Sequence, residues 1–220
     1  MKKLFVIFVL IFLGKTVIGQ MGISGGINML KDFGTPKPYV GLHFGVEVPR
    51  DDENSIYGRV SFYGKQSDDI KNYTVVTAFD PTTIPYSLNV GYKNSMNYTI
   101  LEGGNRYYIG DGYDSGFGAY GGGTGMVIFN TVKRTYDDYD QAVYSLPDNE
   151  IPRGAIVSLA LGLNGGFKYT FAGVGSIYGD AGFGYVLFGK PSNTTAQQLF
   201  YTKYSGLIFT FNIGFRKELY

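Results

Sequence analysis

Along residues 39–48, YVGLHFGVEV, bulky apolar side chains alternate with small or polar ones without a break. Val40, Leu42, Phe44, Val46 and Val48 fall on one face of an extended chain; Tyr39, Gly41, His43, Gly45 and Glu47 fall on the other. A repeat of two residues is the mark of a β-strand whose faces meet different surroundings. The same alternation recurs four more times. Over 55–65 it sets Ile56, Val60 and Phe62 against Tyr57, Arg59, Ser61, Tyr63 and Lys65. Over 156–170 it sets Val157, Leu159, Leu161, Leu163, Phe167 and Tyr169 against Ser158, Ala160, Gly162, Asn164 and Lys168. Over 176–187 Ile177, Ala181, Phe183, Tyr185 and Leu187 oppose Ser176, Tyr178, Asp180, Gly182 and Gly184, and over 206–215 Leu207, Phe209, Phe211, Ile213 and Phe215 oppose Ile208, Thr210, Asn212 and Gly214. Three weaker strands complete a set of eight. Residues 21–30 alternate Ile23, Ile27 and Met29 with Ser24, Gly26 and Asn28; residues 95–109 begin with Met96, Tyr98 and Ile100 on one face and meet a predicted bulge at Gly103–Gly104; residues 117–131 are glycine-rich on both faces, which leaves their register open.

The connections sort by length. After the first (31–38), short ones at 49–54, 110–116 and 170–175 alternate with long ones at 66–94, 132–154 and 188–205. An outer-membrane barrel whose chain starts in the periplasm has this arrangement, with short turns on one side and long loops on the other. The polar faces carry Gly, Ser, Ala and Asn and few charges, which suits a narrow lumen better than a water-facing surface. None of the five clear apolar faces carries a charge. The predicted fold is therefore all-β: an eight-stranded antiparallel up-and-down transmembrane β-barrel, preceded by a cleaved signal peptide.

Composition supports strands, with 33 Gly, 20 Tyr and 17 Phe and no Trp. The absence of Cys removes disulfides, thiolate metal sites, a Cys nucleophile and a lipidated N-terminal Cys. Lys2 and Lys3 precede the apolar run LFVIFVLIFL, which is too short to span a bilayer as a helix. With Val17 and Gly19 in the −3 and −1 places, the expected signal peptide is 1–19, cut before Gln20, and the barrel domain is 20–220. A retained N-terminal anchor is the alternative. Removing Lys2, Lys3 and Lys15 turns a net charge of +1 into −2, so no broad basic field is available to nucleic acid.

A leader ending before Gln20, eight strands and a last strand of alternating aromatics ending at Phe215 resemble the small outer-membrane β-barrel proteins of Gram-negative bacteria. The passage GNRYYIGDGYDSGFGAYGGGTG, residues 104–125, looks like the fourth-to-fifth strand hairpin of such proteins of the Bacteroidetes type. The sequence departs from that pattern at its end, where RKELY follows Phe215 and Tyr220 is the candidate terminal aromatic. The resemblance implies an outer-membrane location, a lipid surround, delivery by the barrel-assembly machinery, a monomer and no cofactor.

Candidate chemistry is sparse. Gly116, Gly118 and Gly121 spell G-x-G-x-x-G, but the β-rich MVIFNTV follows instead of the helix that a dinucleotide loop requires. GYVLFGKP at 184–191 has the spacing of a phosphate loop, yet Pro191 stands where Ser or Thr should hold magnesium. His43, the only His, falls on an inward face with no catalytic partner nearby in sequence. Together with Glu47, Arg59, Lys168 and Asp180 it makes up an expected polar network of paired groups that fills the lumen. The loop YDDYDQAVYSLPDNE (136–150) is acidic without a calcium-loop pattern, and VVTAFDPTTIPY (75–86) is an apolar segment for the barrel rim or a partner. The expected function is a non-enzymatic outer-membrane barrel with a plugged lumen, acting through its extracellular loops in binding, adhesion or envelope structure. Three alternatives stand beside it: an enzyme modifying outer-membrane lipid, which would need a Ser, Asp or Glu against His43; a narrow solute channel; and a secreted soluble lipid-binding barrel.

Overall fold

A computed structural model describes residues 21–219 apart from 33, 35–36, 68–70, 148–150 and 204–205. The expected signal peptide, its cleavage site and Tyr220 lie outside the described residues. The strands are β1 (Met21–Asp32), β2 (Tyr39–Pro49), β3 (Asn54–Ser67), β4 (Asn72–Ala78), β5 (Ser87–Gly110), β6 (Gly116–Tyr136), β7 (Tyr144–Ser145), β8 (Arg153–Phe171), β9 (Gly175–Pro191) and β10 (Leu207–Leu219), and one helix, α1 (Thr194–Lys203), lies between β9 and β10.

Eight strands form a ring. β1, β2, β3, β5, β6, β8, β9 and β10 each pair antiparallel with the next, and β10 pairs back onto β1 from Met21↔Leu219 to Asp32↔Ile208. Closure leaves the ring no open edge, so backbone N–H and C=O groups are satisfied between strands, as hydrocarbon requires. The turns 50–53, 111–115 and 172–174 gather with both strand termini at one end, here the turn end; the longer connections gather at the other, the loop end. Tight local bonding fixes the turns. The Asp51 carboxylate accepts from Glu53 N (2.9 Å) and Asn54 Nδ2 (2.7 Å), and the Asn54 bond holds this carboxyl below the usual aspartate range. In the turn at 111–115, Gly112 adopts φ +72° with Asp52 O close beside it, a geometry that favours glycine.

The side chains sort as the alternation predicts for a membrane barrel and opposite to a soluble one. Val40, Leu42, Phe44, Leu161, Leu163, Phe183, Phe211 and Ile213 all face outward, Leu163 being 69% exposed, whereas Glu47, Arg59, Lys168 and Asp180 are buried. An apolar exterior of this extent is a lipid-facing surface, which removes the secreted soluble reading. Outward charges appear only near the ends of the strands: Lys31, Lys65, Lys93, Lys133, Arg153 and Lys190 at the loop end and Lys217 at the turn end. Toward the turn end the belt finishes in aromatic residues, with Phe117 stacked on Phe167 (centroids 5.9 Å apart) and Tyr169 edge-on to Phe171 (4.8 Å).

Several expected boundaries move. The predicted bulge at Gly103–Gly104 is absent: β5 runs in register with β6 through Gly103↔Gly125 and Gly104↔Thr124. The register shifts lie elsewhere, at Leu159/Ala160 and at Tyr63/Gln66, where the shift turns Lys65, expected on the inward face with Tyr63, to the outside. At Gly103 and Gly104 glycine faces glycine and threonine of β6, so the two backbones approach without a bulge. At Gly122 an added Cβ would collide with the carbonyl of Asn105. β10 continues four residues past Phe215, to Leu219, and the long connections are structured in part. β5 and β6 rise above the ring as a two-stranded ribbon, β4 adds to β5 (Asn72↔Tyr92 to Thr77↔Ser87), and β7 adds to β4. Asn193, just before α1, is its N-cap: its Oδ1 accepts from Ala196 N (2.9 Å). Ala196 is fully buried against the barrel mouth.

The lipid-facing assignment has a direct consequence for stability. Replacing Leu161 by Arg places a charge on the belt and should cost about 2–4 kcal/mol in urea unfolding from phospholipid vesicles. The same change on a water-exposed face would stay within about 0.5 kcal/mol.

Candidate functional site

Inward positions of the eight ring strands fill the lumen in layers. At the turn end, the 111–115 turn folds into the mouth and buries Tyr113. The Arg216 guanidinium lies 3.9 Å from the Tyr113 ring centroid, and its Nη2 donates to the Tyr113 carbonyl (3.0 Å). Lys168 Nζ donates to the carbonyls of Tyr113 (3.0 Å) and Ser115 (2.9 Å) and to Thr170 Oγ1 (3.0 Å). Arg216 Nε also meets Glu218 Oε1 at 3.0 Å.

Above this plug sits a charge cluster built from five strands. Glu47 of β2 accepts from Arg106 Nη1 (2.6 Å), Ser55 Oγ and Tyr108 OH, and lies 3.3 Å from Arg216 Nη1. Arg59 of β3 reaches Glu102 of β5 through Nη2 (2.9 Å) and Asp180 of β9 through Nη1 (3.1 Å). Asp180 accepts in addition from Arg106 Nη2 (3.1 Å), Asn212 Nδ2 (2.6 Å) and Tyr120 OH (3.2 Å). The guanidinium of Arg106 is held between the rings of Tyr57 (4.3 Å) and Tyr120 (4.6 Å). Carboxylates Glu47, Glu102, Asp180 and Glu218 are matched by cations Arg59, Arg106, Arg216 and Lys168, all of them buried. Charges so far from water are tolerated only with such pairing and hydrogen bonding.

The loop-end half of the lumen is mainly apolar, although Asn130, Ser158 and Thr210 are buried there too. Leu30, Tyr39, Ile100, Met126, Ile128, Val132, Ile156 and Ile208 make one buried cluster with Ala196 of α1. Asp32 and Tyr98 are joined within this region by a 2.8 Å hydrogen bond.

The sequence-derived set thus divides. Glu47, Arg59 and Asp180 join through Arg106, which bonds both Glu47 and Asp180. Lys168 is buried but caps backbone carbonyls, because the 111–115 turn presents two carbonyl oxygens, and Thr170 of β8 a hydroxyl, to it before any carboxylate. His43 is fully buried and its Nε2 contacts Tyr178 OH at 2.6 Å, while Nδ1 has no hydrogen-bond partner among the described residues. Sequence reasoning missed Glu102, Arg106, Arg216 and Glu218. The signal was the alternation itself: continued past Ile100 it puts Glu102, Arg106 and Tyr108 on one face, and continued past Gly214 it adds Arg216 and Glu218.

No protein-family model and no curated protein matches this sequence. Among solved structures, it is similar in fold to Ail, the attachment invasion locus protein of Yersinia pestis, in complex with the heparin analogue sucrose octasulfate (13% identity, 91% of this chain and 100% of that one, TM-score 0.48). It is likewise similar to the outer membrane protein OprG from Pseudomonas aeruginosa (12%, 90% and 96%, 0.47) and to neisserial surface protein A (10%, 91% and 96%, 0.44). These TM-scores fall below 0.5, so the assignment stands on the closed ring, the apolar exterior and the buried charges. The chain is a transmembrane β-barrel of the outer-membrane type.

Removing one member of the charge cluster should be costly. Asp180→Ala takes one of two carboxylate partners from each of Arg59 and Arg106 and leaves one buried positive charge unbalanced, and we expect a loss of about 3–5 kcal/mol in the same vesicle unfolding assay.

Proposed function

We propose that this protein is a monomeric outer-membrane barrel with a closed lumen, no enzymatic activity, and a working surface built on its loop end, where it takes part in binding, adhesion or envelope structure. One observation carries the reading: the axis is occupied from the Tyr113 plug through the charge cluster to the apolar layer beneath α1. Eight strands leave an interior that side chains just fill, and here they do so with groups that hold one another in place. A channel needs a wetted path, and a lipid-modifying enzyme needs its base at the lipid interface. His43 is sealed behind Tyr178, away from both. The hairpin of residues 104–125 supports affinity with the Bacteroidetes type.

What is left to meet a partner is the extension beyond the membrane. Its inner side is packed: Val76, Ala78, Val90 and Tyr144 are buried together. Lys71 and Asp137 close one side of it with a 2.7 Å ion pair. Its tip is not packed. Phe79, Ile84 and Tyr86 stand in the open, Ile84 at 94% exposure. Apolar groups offered in water on a braced hairpin suit a contact surface.

Purified protein in a planar bilayer should pass no steady ion current at either polarity. A steady conductance would sink the closed-lumen reading and restore the solute channel.

A further inference from the structure

A second feature lies on the outside of the wall, at the loop-end margin of the apolar belt. The outward side chains of Lys65 (β3), Asn97 and Ser95 (β5), Thr131 and Lys133 (β6) and Arg153 (β8) line an open groove of about 220 Å³. Three of the six are cations, and none of the three has an ion-pair partner among the described residues. Lys133 and Arg153 are moreover direct cross-strand partners in the register of β6 and β8. Like charges placed opposite each other on one face of a sheet destabilise it. An anion seated between them would relieve the repulsion.

The position says which kind of anion. Immediately below the groove the same strands turn apolar, with Phe129 under Thr131 and Lys133, Val157 and Leu159 under Arg153, and Phe62 under Lys65, all outward and exposed. A molecule whose headgroup met the three cations would lay its chains along those side chains. The outward charges at this margin are also all of one sign: Lys31, Lys93 and Lys190 accompany the three in the groove. Ser95 is buried and donates to the Lys133 carbonyl (3.0 Å), which ties β5 to β6 at the groove floor.

We propose that this groove binds the phosphate headgroup of a membrane lipid, with Lys65, Lys133 and Arg153 as its anion ligands, Asn97 and Thr131 as neutral donors, and the Phe129–Val157–Leu159 surface beneath them receiving the acyl chains. The proposal rests on the membrane-barrel reading and not on the closed lumen. The site fastens the barrel to one leaflet and fixes its depth.

The test uses the purified barrel in dodecylmaltoside micelles, titrated with dioleoylphosphatidic acid and followed by native mass spectrometry. Dioleoylglycerol, with the same chains and no phosphate, and inorganic phosphate are run as separate arms. Each interfacial cation contributes roughly a five-fold gain toward an anionic lipid, so K65Q/K133Q/R153Q should bind phosphatidic acid about 100-fold more weakly, and K133Q alone about 5-fold. K217Q, which alters the opposite margin, should bind as the wild type does. Wild-type affinity in the triple variant, equal loss in K217Q, or inorganic phosphate saturating the site at the concentration that phosphatidic acid needs would each overturn the proposal. Heat-modifiable gel migration of every variant reads the barrel itself. Phosphate-dependent lipid binding in a barrel that nonetheless conducts would keep the site and remove the closed lumen.

Discussion

Hydrocarbon offers no hydrogen bonds, and this constraint orders everything else in the molecule. A backbone crossing it as strands must close on itself, which β1 and β10 accomplish by pairing along the whole of β1. Closure then divides the side chains absolutely. Those pointing out must be apolar through the thickness of the bilayer; every polar group the strands carry must point to an axis only a few side chains wide. Charges brought there lose their water, so they survive by meeting each other. Arg59, Arg106, Asp180, Glu47 and Glu102 form a single cluster because closure leaves them no other surroundings.

The same constraint explains which parts of the structure were legible in the sequence. Where a strand lies in the membrane, alternation is clean, as over 39–48 and 156–170, and strand placement follows from it directly. Toward the loop end the rule weakens, because the lumen there is itself lined largely by apolar side chains. In the upper half of β5, Met96, Tyr98 and Ile100 point inward and Asn97 and Thr99 outward, as in a water-soluble barrel. A segment that changes environment midway has an apolar face that changes sides, and a single-period reading cannot orient it. That ambiguity, with a bulge expected at Gly103–Gly104, concealed Glu102 and Arg106. Ending the last strand at Phe215 concealed Arg216 and Glu218. The tyrosines escaped for another reason: Tyr57, Tyr108, Tyr120 and Tyr178 serve both as filler and as hydroxyl partners, and sequence does not say which ring will lie against which guanidinium.

The loop end shows what the plugged axis makes possible. Rigidity in the ring supports a ribbon of β5 and β6 that continues beyond it, and β4 and β7 widen this ribbon into a small sheet with its own buried cluster. A tip carrying Phe79, Ile84 and Tyr86 is thereby held at a fixed height over the bilayer. The basic groove lower on the wall would resist tilt and vertical drift of the same platform. With the closed lumen proposed above, this arrangement would serve anchoring and presentation in place of transport.

The claim on which the account depends is that the alternating rows of β8 face lipid and axis as described. Because the chain has no Cys, single cysteines can be placed at each position from 157 to 169, nitroxide-labelled and reconstituted in phospholipid vesicles. Collision rates with dissolved oxygen, which concentrates in the bilayer, should peak at 157, 159, 161, 163, 167 and 169 and fall at 158, 160, 164 and 168. Peaks at the even positions, or no alternation at all, would contradict it.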